Sequence, residues 1–374
     1  MPPGRALAEL ALDVTATKPA SRGARRFVPP ATLQDRVLAR RIAYNRPMNT
    51  TPYATLTPDT VLDSLDAVGL ATSGHLLTLN SFENRVFQVG IDDGAPLIAK
   101  FYRPGRWSDA QILEEHAFTA ELAALEIPAV PPLEINGRTL NTGIDGFRFA
   151  VFPRQGGRAP ELDREGTLEW LGRFLGRIHA VGGTRPFEHR PALTPASFGE
   201  TPSRWLIDSG FIPLELKTAY QQVIVDALAS VSQAFERAGN VKAIRLHGDC
   251  HLGNVLWTDG GPHFVDFDDA RSGPAVQDLW MLLSGERHER ISQLADLLAG
   301  YEDFCDFDAR ELHLVEAMRT LRQIHYAGWL AQRWDDPAFP AAFPWFNTMN
   351  YWQEHIYALR EQIEAMAEPP LWPV

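Results

Sequence analysis

Apolar residues recur three and four apart in TPDTVLDSLDAVGL, at Val61, Leu62, Leu65 and Val68, and the pattern stops at Gly69. With Thr and Pro in front, this spacing predicts a short capped helix. The pattern then shortens. HLLTL, RVFQVGI and APLIAKFY, with Asp-Asp-Gly between the last two, predict strands of an antiparallel sheet, one pair closed by a hairpin turn. SDAQILEEHAFTAELAAL predicts a longer helix, capped by Ser108 or Asp109 and ended before Pro128. FRFAVFP reads as a further strand ending near Phe152 and Pro153. Beyond it the period is helical. LEWLGRFLGRIHAV sets Leu171, Phe174, Leu175 and Ile178 on one side, with His179 closing the stripe as a packed core residue. Segments 214–237, 286–305, 309–333 and 348–367 also read as helices, and Pro340 and Pro344 break the stretch between the last two.

Between the helical segments, residues 247–254 read HGDCHLGN and residues 264–270 read FVDFDDA. The flanking AIRLHGD and NVLWTDGGPHFVDF are short apolar runs with an Asp-Gly-Gly turn, so the polar residues fall in a strand, loop, strand setting. Asp249, Asn254 and Asp266 are spaced as a phosphoryl-transfer site requires. Asp-x₄-Asn is the interval of a kinase catalytic loop, in which the Asp takes the hydroxyl proton and the Asn reaches a Mg²⁺. Asp266 supplies a second hard oxygen ligand, and Mg²⁺ needs only one or two from protein. A polar turn between buried strands explains Gly and Asp at this place but not two His, an Asn and a following VDFDD. Zinc held by His247, Cys250 and His251 is disfavoured, because three ligands crowded into five residues do not close a tetrahedron. His247 is expected to brace the loop. Asp268 and Asp269 read as loop-bracing carboxylates, and Asp278 as a structural anchor of the same loop. Motifs for a serine hydrolase, a zinc protease, a Walker nucleotide loop or a dinucleotide fold are missing from the sequence.

HGDCHLGNVLW, FVDFDDA and GPAVQDLWMLL resemble the aminoglycoside phosphotransferase and choline kinase superfamily. LNSFENRVFQV, KFYRPGRWSDAQILEEH, FAVFP and PAVQDLW resemble one branch of it more closely, the bacterial stress response kinase A family of serine/threonine protein kinases, over residues 53–370. The resemblance implies an α+β, bilobal, protein-kinase-like fold. Residues 53–152 would form a small antiparallel-sheet lobe that binds ATP, and 153–374 a mainly helical catalytic lobe. Lys100, at the end of the third strand, would reach the ATP phosphates, positioned by Glu115 or, as second choice, Glu114. The segment LNSFENRVF, where protein kinases carry a Gly-rich hairpin, holds no Gly. Asn80, Ser81 and Asn84 would supply side-chain donors there, with Ser81 as an ATP contact and a possible autophosphorylation site. Asp249 would be the catalytic base, Asn254 and Asp266 the Mg²⁺ ligands, and a protein Ser or Thr the acceptor. The alternatives are a small-molecule kinase acting on an alcohol or aminoglycoside, and a kinase-shaped scaffold without transfer.

Composition narrows the setting. Of 374 residues, 45% are hydrophobic and 22% charged, which suits a globular chain of two lobes. Two Cys set no disulfide framework, so a reducing cytoplasm is expected. No run of about 18 apolar residues and no compact apolar leader is present, so no membrane partner is expected. Residues 1–47 hold nine Lys+Arg against three Asp+Glu, a net of +6, which leaves −18 for the rest of a chain whose total is −12. An acidic body disfavours nucleic acid as a partner. Residues 1–52 read as a basic, disordered extension, and the resemblance begins only after Met48.

Overall fold

The computed structural model describes residues 52–372, so the expected disorder of the basic extension falls, but for its last position, outside the described residues. α1 (Pro58–Ala67) starts where the Thr57 hydroxyl accepts the backbone N–H of Thr60 at 3.2 Å. β1 (Thr72–Thr78), β2 (Arg85–Ile91) and β3 (Leu97–Phe101) pair antiparallel in chain order. α2 (Asp109–Ala124) begins with a capping box between Ser108 and Gln111. β4 (Asn141–Thr142) and β5 (Arg148–Pro153) complete a five-stranded sheet in the order β1-β2-β3-β5-β4.

Strand alternation decides where Lys100 goes. Ala99 and Phe101 face the core formed with Phe87, Val89, Phe149 and Val151 beneath α1. Lys100 therefore projects from the opposite face. Its cross-strand partner Ala150 packs there with Ile112 of α2.

The large lobe holds α3 (Thr167–Gly182), α4 (Thr201–Ser209), α5 (Leu214–Ala238), α6 (Val276–Trp280), α7 (Arg287–Tyr301), α8 (Val315–Gln332), α9 (Ala338–Ala342) and α10 (Met349–Ala367). Two small sheets lie among them. β6 (Ile244–Leu246) pairs with β9 (Arg271–Gly273), and β7 (Val255–Thr258) with β8 (Gly261–Phe264). The backbones of α3 and α7 touch through glycine, since a Cβ on Gly172 would come within 2.0 Å of the Leu297 carbonyl. The expected helix over 309–333 is a tight turn over Ala309–Leu314 followed by α8. α9 and the two-residue β4 are too short to leave a repeating pattern in the sequence, and the nine-residue α4 is not among the expected helices. Among the described residues, no helix is long and apolar enough to cross a membrane.

The lobes meet through charge. Glu83, in the loop between β1 and β2, lies 2.5 Å from Arg333 and 3.1 Å from Arg103 and accepts the indole N–H of Trp329. Asp336, buried, binds Arg103 at 2.7 Å and Arg85 at 3.2 Å. Phe82 packs beside these pairs on Phe343, with ring centroids 4.8 Å apart. The loop that lacks glycine is thus tied to the end of α8 and to α9. Glu83→Ala is expected to lower the unfolding free energy by about 3 kcal/mol, because it leaves the largely buried Arg333 guanidinium without its carboxylate partner and removes one of the two that bind Arg103. Urea titration of the variant beside the native protein checks this, and an unshifted midpoint would contradict it.

Candidate active site

The backbone of the loop that begins at His247 is held from behind by one carboxylate. Asp278, wholly buried, accepts the backbone N–H of His247 and of Gly248, each at 2.8 Å, through its two oxygens. His179 lies 3.1 Å from the same carboxylate and 3.0 Å from the Tyr301 hydroxyl, so it is the packed core residue that its sequence position suggests. The His247 ring bonds the Val265 carbonyl at 2.9 Å and the Asp249 N–H at 3.3 Å, which joins the loop to the strand that leads into Asp266. Gly248 has φ 82°, and a Cβ there would stand 2.2 Å from the Asp269 carbonyl. Only glycine fits. These contacts bring 247–249 and 265–269 side by side.

Asp266 adopts φ 58°, a left-handed conformation that Asp tolerates better than most residues. Its side chain is 53% exposed and lies 2.8 Å from Lys100 Nζ. Lys100 also meets Asp268 at 3.2 Å. Burial alone would lower the Lys100 pKa, but Asp266 and Asp268 outweigh it and raise it well above its ordinary value. Burial would likewise push Asp268 up, yet Lys100 and Arg106 hold its carboxyl down at about 2. Asp269 is gripped by Arg106 at 2.8 Å and Arg271 at 2.6 Å. Asp268 and Asp269 are thus braces of the loop.

Glu114 and Glu115 divide clearly. Glu114 accepts the backbone N–H groups of Glu188, His189 and Arg190 and anchors that loop to α2. Glu115 is buried in the neighbourhood of Lys100, whose direct partners are Asp266 and Asp268. Burial pushes the Glu115 carboxyl up to about 7, against the pull of Lys100. Asn84 is buried and accepts the Arg103 N–H at 3.1 Å, which makes it a brace of the loop. Ser81 is half-buried at the head of the same loop. The Cys250 thiol is fully buried, and burial raises its pKa well above the ordinary value, so it has none of the thiolate character that redox control needs.

Two oxygens fit a hard cation. Asn254 Nδ2 donates to the Asp249 carbonyl at 2.9 Å, so the amide oxygen is its remaining acceptor, and the Asn254 carbonyl accepts the N–H of Val265, one residue before Asp266. Among the described residues no group of three or more His, Cys, Asp or Glu could hold a metal. Asp249 itself lies 2.7 Å from Arg322 on α8 and 3.7 Å from His251. Arg322, Arg106, Arg190 and Glu83 escaped sequence reasoning. Only the RPGR run after β3 carried a visible signal, two cations next to a predicted phosphate-facing Lys.

Glu115 makes stability depend on pH. The folded carboxyl keeps its proton up to about 7, whereas its ordinary value is 4.5, so the native state binds more protons in that window. This contribution to stability is full below 4.5 and is lost as pH rises through 7. Glu115→Gln is expected to flatten that decline, read as unfolding midpoints at unit steps from pH about 5 to about 8. An unchanged slope would contradict the assignment.

Residues 75–315 match the phosphotransferase enzyme family. The chain is 44% identical over 319 residues to stress response kinase A of Escherichia coli K12, covering 85% of this chain and 96% of that one. It is 43% identical over 323 residues to the serine/threonine protein kinase RdoA of Salmonella typhimurium, at 86% and 97% coverage. Among solved structures, the amicoumacin kinase hAmiN superposes with TM-score 0.64 at 21% identity, over 82% of this chain and 93% of that one. The microcompartment-associated aminopropanol kinase does so with TM-score 0.59 at 18% identity, over 84% and 96%. At those identities the two structures speak for the kinase-like bilobal fold. With the sequence relatives and the matched region together, the chain belongs to the phosphotransferase enzyme family and, within it, to the stress response kinase A family.

Proposed function

We propose that this phosphotransferase is a cytoplasmic, ATP- and Mg²⁺-dependent serine/threonine protein kinase that acts in stress response. The observation that carries the reading is the Lys100–Asp266 ion pair at 2.8 Å, which joins the small lobe to the large one across 166 residues. It sets an ammonium for phosphate oxygens beside a carboxylate for metal, next to a loop that presents Asp249. The relatives named as stress response kinase A and as a serine/threonine protein kinase support the protein acceptor and the stress role.

In this reading Lys100 turns from Asp266 to the ATP phosphates, with Asp268 and Glu115 keeping the ammonium in place. Asn254 and Asp266 hold Mg²⁺, which when bound neutralises charge on the phosphates. Ser81 offers its hydroxyl to the nucleotide. Asp249 orients the acceptor hydroxyl and takes its proton as the new bond from oxygen to the γ-phosphorus forms and the bond to the β-phosphate oxygen breaks, leaving ADP. A depressed or raised basicity is not required of Asp249, because a loose transition state gains most from positioning and charge neutralisation.

Asp249→Ala is expected to reduce transfer from γ-labelled ATP by about a thousandfold or more while Mg·ATP still binds, because it removes a group that acts on the acceptor. Asp266→Ala is expected to weaken Mg·ATP binding itself by about tenfold or more, read by calorimetry. Unchanged turnover in the first variant would overturn the mechanism. Label on protein Ser or Thr, lost in that variant, supports a protein acceptor. Label only on an added alcohol instead assigns a small-molecule kinase, the activity named for the two structural neighbours.

A further inference from the structure

Helix α8 runs along the cleft with one face toward the site. Arg322, Trp329 and Arg333 stand seven and eleven residues apart, a spacing that returns to the same side of a helix. The far end of this face binds Glu83. Near the middle of the helix, Arg322 reaches Asp249 Oδ1 at 2.7 Å, with 34% of its own side chain and 21% of the Asp249 side chain exposed.

The other oxygen of Asp249 has a different neighbour. His251 Nε2 lies 3.7 Å from Oδ2, while its Nδ1 accepts the Gly253 N–H at 2.9 Å, which assigns the ring proton to Nε2. Burial lowers the His251 pKa, so the ring faces Asp249 as a neutral N–H donor. The fixed charge at this end of the cleft is therefore the guanidinium. Nearby carboxylates are already committed, Asp266 and Asp268 to Lys100, Asp269 to Arg106 and Arg271, and Asp278 to the loop backbone. A second guanidinium, Arg271, sits over the Phe198 ring at 4.7 Å, and that ring stacks on His325 of α8 at 4.2 Å.

We propose that Arg322 selects the acceptor by charge: it favours a hydroxyl flanked by carboxylate or phosphate and rejects one flanked by ammonium or guanidinium. This deepens the proposed function and rests on Asp249 being the group that faces the acceptor. The guanidinium has five donors, and a single ion pair to Oδ1 leaves several for an acidic neighbour of the hydroxyl. A cationic neighbour would meet like charge at the same place. Arg322 thus acts as a specificity-determining residue in the large lobe, distinct from the groups that hold the nucleotide.

The test uses the full chain with γ-labelled ATP and Mg²⁺ on two acceptor sets. One is a Ser peptide flanked by Glu, Ala or Lys, and the other is glycerate, glycerol and ethanolamine. The native protein is expected to favour the Glu-flanked over the Lys-flanked peptide by about tenfold in kcat/KM, mostly through KM, as befits one charge contact at a half-exposed site. Arg322→Gln should reduce that ratio to about threefold or less, and Arg322→Lys should keep most of it. A native preference for the Lys-flanked peptide overturns the proposal, as does an Arg322→Gln variant with the full native ratio. If the alcohols are labelled and no peptide is, the protein-acceptor reading falls, and the glycerate-to-ethanolamine ratio then decides the role of Arg322 by the same criteria.

Discussion

A buried ammonium cannot stand alone in a protein interior, and the position of Lys100 follows from this. Strand alternation drives its side chain off the small-lobe core, and both of its ion-pair partners, Asp266 and Asp268, come from the large lobe. The two lobes are therefore held at a fixed separation by the group that, in a phosphotransferase, must meet the nucleotide. Arg106 extends the same network by binding Asp268 and Asp269, and Arg190 supports the loop from the side by donating to the Ala270 carbonyl at 2.7 Å. Each carboxylate in the cluster has a cationic partner, which lets an acidic protein assemble a crowded anionic loop at the lobe junction.

The second constraint is backbone geometry. Asp278 ties down two successive amides, and Gly248 lets the loop pass against the Asp269 carbonyl without a clash. Asp249 and Asp266 are thereby presented by main chain that has little freedom to move, which in the proposed mechanism is the preorganised charge that phosphoryl transfer needs. Helix α8 links this rigid centre to the glycine-free loop, touching Asp249 near its middle and Glu83 at its end. Where a Gly-rich loop would be mobile, this one is clamped by ion pairs and by Phe82.

Local spacing made the candidate site readable as a unit, since Asp249, Asn254 and Asp266 lie within one short strand, loop, strand segment. The strands around Lys100 were readable for a similar reason, because alternation and a hairpin turn act over a few residues. The role of Asp278 as a loop anchor was legible from its motif. What the sequence hid is long-range. Arg333 meets Glu83 across 250 residues and Arg103 meets Asp336 across 233, and nothing local marks either partner. The pairing of β6 with β9 and the five-residue helix α9 were hidden for another reason, being too short to display a repeating pattern. The expectation that Lys100 is positioned by a glutamate came from the family resemblance, and in the structure its direct bonds go to the two aspartates while Glu115 lies buried nearby.

In the proposed mechanism Mg²⁺ and the ATP phosphates bind at Lys100, Asn254 and Asp266. A crystal structure of the protein with Mg²⁺ and a non-hydrolysable ATP analogue tests this most directly. Oxygens of Asp266 and Asn254 are expected at about 2.1 Å from the metal, with Lys100 Nζ moved from Asp266 onto a phosphate oxygen. A metal bound away from these two residues, or phosphates out of reach of Lys100, would contradict it.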